Sequence, residues 1–302
     1  QRLLGDRDDL GITCALVPTN TPGVNIGRRH NPMNAVFQNG PNWGTDVFMP
    51  IEWIIGGPKM AGQGWRMLME CLAAGRSISL PSSAVGYTTL AARAVGAYAR
   101  VRRQFKTPIA RFEGVEEVLG RIGGNLYLMD AVRRMTAGAL DQGEKPSVIS
   151  GIVKYHLTER GRAVVNDAMD VLGGKGICLG PNNFMGRAYQ ELPVAITVEG
   201  ANILTRSLII FGQGAIRCHP HVLAEMQAAQ DPDHARGLLA FDSALFGHVR
   251  FAISNKVRAW LSGLTGAFFL SAPERAALET RTYFRELGRW AAAFAWVADV
   301  SM

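Results

Sequence analysis

Asp167-Ala-Met-Asp-Val-Leu-Gly-Gly-Lys-Gly176 is the stretch on which the fold turns. Its glycines close a run of helical period that begins at Ser147, a residue that predicts an N-cap. Dinucleotide-binding folds and P-loops need such glycines between a strand and a helix, so neither fits here. Two readings stay open: a plain helix stop, or a stop whose backbone amides also face a phosphate.

Working upstream, the period changes from two to about 3.6 at Gln63, where Trp65, Met67, Leu68, Cys71 and Leu72 fall on one face. This predicts a helix over 63–104, which Pro81 should kink or break. A second spans 112–142, ended by Gly143, Lys145 and Pro146, and the third spans 147–172. Downstream come a shorter helix over 181–190 and a fourth long one over 199–218. Residues 1–59 read as β structure, with strands over 11–17, 24–29, 45–49 and 50–57 separated by Pro, Gly and Asn. The expected fold is α+β and mostly α. A partial β-barrel or sandwich segment (1–59) precedes an up-down four-helix bundle (60–218). A helical C-terminal extension (219–302) carries helices over 236–265 and 273–298, after the break at Asp231-Pro-Asp233. Gln1 opens inside an apparent strand, which predicts a piece of a longer chain. The apolar stretch 290–300 predicts a helix that packs on a bundle or lies on a membrane surface.

The net charge of +7 is confined to 1–218, because 219–302 carries equal numbers of each sign. A mildly basic body suits a phosphate-bearing small molecule. Nucleic acid is disfavoured, since no basic run interleaves with aromatics. Cys14, Cys71, Cys178 and Cys218 lack metal-ligand spacing and are too few for a disulfide scaffold, so reduced thiols and a cytoplasmic setting are expected. His219-Pro-His221 lacks nearby ligands in the pattern, and no metal is expected.

Glu199 stands alone in the apolar run Val194-Ala-Ile-Thr-Val-Glu-Gly-Ala-Asn-Ile-Leu-Thr-Arg206. Lost solvation should raise its proton affinity, as suits a general base for an acidic carbon–hydrogen bond. The alternative is a helix-start carboxylate facing the dipole. Arg76, after Gly75, suits an anionic or carbonyl ligand, or simply snorkels from its helix. Arg100, Arg102, Arg103 and Gln104 gather beside Phe105 at a helix end, either as a pyrophosphate clamp or as charge complementing the dipole.

Gly62-Gln-Gly-Trp65, Gly75-Arg76, the run 98–109, residues 170–176 and residues 198–206, in this order, resemble the acyl-coenzyme A dehydrogenase family, specifically its bacterial branch with a long C-terminal extension. The likeness covers 1–218, with 219–302 similar to the start of that extension; the family's N-terminal helical domain would lie upstream. The resemblance implies FAD, and α,β-desaturation of a medium- or long-chain fatty acyl thioester to the trans-2-enoyl product in fatty acid β-oxidation. Glu199 would be the α-proton base. No carboxylate accompanies Gly75, the other place where the family carries its base, and Glu70 is the only acid near it. Arg76, Gly200 and Arg206 would contact substrate. Arg102, Gln104, Phe105, Asp170, Gly173, Gly174, Gly176 and Ala201 would line the FAD site, the first three reaching the flavin of a neighbouring subunit. A homodimer sharing its flavin sites is thereby implied, with an electron-transfer flavoprotein or similar acceptor. A peripheral contact of the extension with the inner face of the bacterial inner membrane is compatible with this.

Departures from the family pattern are Lys106 where Gly follows the Phe, Asp170 where Gln is common, and Ala201 and Ile203 where Thr and Gln are usual. Two rivals therefore remain: an acyl-coenzyme A oxidase using oxygen, and a non-catalytic binding subunit of the same fold.

Overall fold

The computed structural model describes residues 2–4, 9–34 and 39–301. It divides into two compact units, 1–207 and 208–302.

In the first unit the β part is slight. β1 (Arg2–Leu4) pairs antiparallel with β2 (Asp9–Ile12), and β3 (Val24–Ile26) with β4 (Asn42–Gly44). Ala15 and Ile54 form an isolated bridge. The strand expected over 45–49 is displaced to β4, because Asp46 takes a left-handed φ of 50° that ends pairing after Gly44.

The helices carry the unit. α1 (Gly64–Leu90) runs through Pro81 without ending there; the irregularity lies instead in a π-helical stretch, Ala91–Val95, that leads into α2 (Gly96–Val101). A two-stranded hairpin of β5 (Arg103–Gln104) and β6 (Thr107–Pro108) leads toward α3 (Glu113–Asp141). α4 (Ser147–Leu172) begins at Ser147, yet its N-cap position is Pro146 and no side chain caps it; the Ser150 hydroxyl donates to the Ser147 carbonyl instead. After the turn α5 (Gly174–Ile177), α6 (Gly186–Thr197) runs later and longer than expected, because Asn183 accepts from the amides of Met185 and Gly186 and sets its start there. α7 (Asn202–Leu204) follows, and a π-helical stretch (Thr205–Gln213) runs on into the second unit, where α8 (Gly214–Cys218) comes next.

α4 is the central helix, packed against α1, α3 and α6. Its inward stripe includes Val153, Leu157, Gly161, Val164, Val165 and Ala168, all buried. Gly161 allows the close approach to α1: a Cβ there would lie 3.2 Å from that of Ala84. Arg121 on α3 grips Asp167 on α4 through two 2.9 Å hydrogen bonds, tying the helices together at the surface.

In the second unit, α9 (Val222–Ala229) and α11 (Leu278–Ser301) both pack on α10 (His234–Leu264). Asp233 caps α10 by accepting from the amides of Ala235 and Arg236. The His219 ring sits at the junction: its Nδ1 accepts from the amides of His221 and Val222, and its Nε2 lies 2.9 Å from Asp299 Oδ1. An accepting Nδ1 puts the ring proton on Nε2, where it is donated to Asp299. Although His219, His248 and Asp299 converge, this tautomer gives His219 no free lone pair for an ion. Among the described residues, no single helix is long and apolar enough to cross a membrane.

Candidate active site

Glu199 lies on the short link between α6 and α7. Its own φ is 55° and that of Gly200 is 87°, so two successive residues are left-handed. For a residue with a Cβ that conformation costs about 1–2 kcal/mol, and the surroundings hold it in place. From α1, Arg76 Nε donates to the Glu199 carbonyl at 3.0 Å. From α4, Lys154 Nζ donates to the carbonyls of Ile196 (3.1 Å) and Gly200 (2.9 Å) and to Asn202 Oδ1 (2.6 Å). Thr205 Oγ1 also donates to the Gly200 carbonyl. The amide of Asn202 donates to Thr158 Oγ1 and Glu159 Oε1, both at 2.9 Å. Glu199 Oε2 is buried and has no hydrogen-bond partner among the described residues.

Arg76 is 5% exposed and Lys154 wholly buried. Burial lowers the proton affinity of Arg76, with the Glu199 charge opposing. Burial pushes the Lys154 ammonium down to about 8; the Arg76 charge acts in the same direction, while Glu199 and Glu159 oppose. The consequence for stability has a definite sign. Between about 8 and the ordinary 10.5, the unfolded chain still holds the proton that the native chain has released. Stability therefore rises with pH across that window and is lost as pH falls through the lower value. Melting curves of the wild type and Lys154→Met should diverge accordingly, the wild type gaining relative to the variant as pH rises from 8 to 10.5. Parallel curves would contradict the assignment.

The structure brings Arg76, Glu199, Gly200 and Ala201 together, with Arg76 turned toward the main chain of the loop. Arg206 is exposed. Apart from Ala201 on the α6–α7 link, the residues expected to hold FAD fall in two segments; Lys175, within the second, lies over the Tyr98 ring of α2, 5.4 Å from its centroid. One segment is the β5–β6 hairpin. Its turn places Phe105 and Lys106 at φ 49° and 66°, the left-handed pair of a tight hairpin turn. Lys106 thus occupies a backbone position where Gly would be unstrained. Phe105 is 90% exposed, and no ion pair engages exposed Arg102 among the described residues. The other segment is the glycine stop. Gly173 has φ 58°, and a Cβ at Gly173 or Gly174 would meet nothing within 4 Å, which leaves room for a ligand against the backbone. Gly176 instead packs on Met169 and Leu172. An unpaired guanidinium, an exposed ring and an open backbone cradle fit the charged and planar parts of a dinucleotide. Asp170 is exposed beside them.

Lys154 and Thr158 lie outside every motif quoted above, and Asn202 and Thr205 lie within the run 198–206 without having been singled out. The available signal was position: Lys154 falls in register with Ser150, Gly151, Leu157, Thr158 and Gly161, all buried on one face of α4.

A model described as the acyl-CoA dehydrogenase C-terminal domain matches residues 62–212, and one described as the bacterial-type C-terminal region matches 216–302. The chain is 62% identical over 95 residues to "Protein HemX" of Proteus mirabilis, covering 32% of this chain and 56% of that protein. It is 26% identical over 214 residues to the mitochondrial short-chain specific acyl-CoA dehydrogenase of Rattus norvegicus, covering 67% and 48%. Butyryl-CoA dehydrogenase from Megasphaera elsdenii superposes with a TM-score of 0.63 at 21% identity, over 71% of this chain and 54% of that one, a likeness of fold. The chain spans about half the length of the curated relatives it matches. With the family model covering residues 62–212 and a second continuing from 216, the chain belongs to the acyl-CoA dehydrogenase family.

Proposed function

We propose that the protein to which this chain belongs desaturates fatty acyl-coenzyme A thioesters between the α and β carbons, with Glu199 as the base. One observation carries the reading: a buried, unpartnered carboxylate oxygen stands on a main chain pinned from α1 and α4. A thioester carbonyl acidifies its α-carbon, and a fixed carboxylate beside that carbon removes the proton without first reorganising. Oε2 of Glu199 receives the α-proton. Bound FAD supplies the acceptor for the β-hydrogen and its electron pair, which leaves the trans-2-enoyl product. Arg102, Gln104 and Phe105 on one side, and the Gly173–Gly174 backbone on the other, are the residues to hold it. The exposure of Phe105 and Arg102 suits a flavin bound by a second subunit. Medium- and long-chain fatty acyl groups, fatty acid β-oxidation and an electron-transfer flavoprotein as acceptor belong to the same proposal.

The test is anaerobic mixing of the full-length flavoprotein with saturated acyl-coenzyme A thioesters from butyryl to stearoyl, reading the flavin absorbance. Bleaching that is fastest with the longer chains, together with enoyl product, is expected. A colourless protein that cannot be reconstituted with FAD would overturn the reading. Stoichiometric peroxide in air would replace the dehydrogenase with an oxidase.

A further inference from the structure

We infer that Lys154 is a positioning residue for Glu199, its ammonium holding the loop that carries the carboxylate in the left-handed conformation the reaction uses. The inference rests on Glu199 being the base. Lysine has three N–H donors. All three are engaged here, and all three acceptors lie within residues 196–202: the carbonyls before and after Glu199 and the side chain of Asn202. A charge enclosed in a helical core is unfavourable unless every donor is matched, and an apolar residue would fill the same space without that penalty. What the ammonium alone provides is a point to which the last turn of α6, the bend at Gly200 and the first residue of α7 are tied together.

The anchor is rigid. Lys154 sits within the 26-residue helix α4, among side chains that are themselves buried. The same helix holds the far side of Asn202 through Thr158 and Glu159, and the Thr158 hydroxyl donates back to the Lys154 carbonyl at 2.7 Å. Arg76 reaches the Glu199 carbonyl from α1, between the two carbonyls that Lys154 takes. The charged groups facing Lys154 are thus Arg76 on α1, Glu159 on α4 and Glu199 on the loop. With the main chain gripped at residues 196, 199 and 200 and the Asn202 side chain held from α4, the Glu199 side chain is left to χ rotation alone.

The test uses the full-length flavoprotein with three substitutions, Lys154→Met, Lys154→Ala and Asn202→Ala. In Lys154→Met, flavin content should stay close to wild type and the dissociation constant for palmitoyl-coenzyme A should change little, while the melting temperature should fall by several degrees because the Ile196 carbonyl and Asn202 Oδ1 lose their donor. The limiting rate of flavin bleaching should fall roughly 100-fold, as an ångström-scale misplacement of a reacting group does. Amide hydrogen exchange over 200–205 should quicken. In Lys154→Ala, propylammonium should restore part of that rate, and propanol, of similar size but uncharged, should not; a residue that merely filled space would respond to both alike. Asn202→Ala removes one of the three acceptors without placing a cavity in α4, so it reads the same effect in reduced form should Lys154→Met fail to fold. An unchanged bleaching rate in Lys154→Met, or equal rescue by propanol, overturns the inference. Wild-type turnover by Glu199→Gln would overturn the base itself, and exchange over 200–205 tells the two failures apart, since it reports the loop whatever the base is.

Discussion

Glu199→Gln retains flavin, fold and acyl-coenzyme A binding, and loses the limiting rate of flavin bleaching by roughly 10³–10⁴-fold, the size of effect expected when a positioned general base is removed. The substitution is nearly isosteric. Everything that fixes residue 199 acts on the main chain: Arg76 on its carbonyl, and Lys154 and Thr205 on the carbonyl of Gly200. None of these contacts changes when the carboxylate becomes an amide. The buried Oε2 has no partner to lose. The buried Arg76 and Lys154 charges lose the carboxylate that opposes their desolvation, so the melting temperature should fall only slightly, while the proton acceptor disappears. The readout is single-turnover bleaching beside flavin content and a melting curve. Turnover close to wild type would place the base elsewhere. Glu70, the other acid considered from the sequence, is a poor substitute, because its side chain is 51% exposed and faces Lys145 at 3.9 Å. An exposed carboxylate facing a lysine lacks the water-excluded setting that the reaction requires.

The long helices were legible because burying one face imposes a period of 3.6, and because Gly143 and Gly173 terminate helices through backbone conformations that few other residues adopt. Glu199 was legible because an acid in an apolar run is unusual in itself. The groups that hold it were not. Lys154 stands on a helix with no motif around it, and only its register with Gly151, Leu157 and Gly161 distinguishes it. Its partners are mostly main-chain carbonyls, which leave no mark on side-chain pattern. Pro81 misled in the other direction. A proline inside a helix removes one hydrogen bond, and α1 nonetheless continues through it, while the departure from α geometry comes at Ala91–Val95, where no breaker residue stands. Ser147 looked like a cap by type, yet the turn begins one residue earlier and its hydroxyl is not used. Local residue preference set where helices were expected, and tertiary packing set where they begin and bend.

Arg76→Met should lower the limiting rate by roughly 10–100-fold, the range expected when a reacting group is no longer held in register, with little change in the affinity for acyl-coenzyme A. The second half of that expectation separates two roles for this residue. The family resemblance placed Arg76 on the substrate, which predicts weakened binding when its charge is removed. The structure buries the guanidinium and points Nε at the Glu199 carbonyl, with Nη2 close enough to Gly200 that a Cβ there would lie 3.9 Å away. Met keeps the apolar stem and fills most of the volume, but it leaves the Glu199 carbonyl without its donor and the buried carboxylate with one facing cation instead of two. An unsatisfied buried carbonyl costs about 1–3 kcal/mol, so the melting temperature should also fall by several degrees, unlike that of Glu199→Gln. Arg76→Lys recovers only part of the rate, since a single ammonium on a flexible stem does not reproduce the planar fork. Stopped-flow bleaching across substrate concentrations reads rate and affinity in one series. A large loss of affinity with an unchanged limiting rate would return Arg76 to the substrate and leave Lys154 and Thr205 as the side chains that fix the loop.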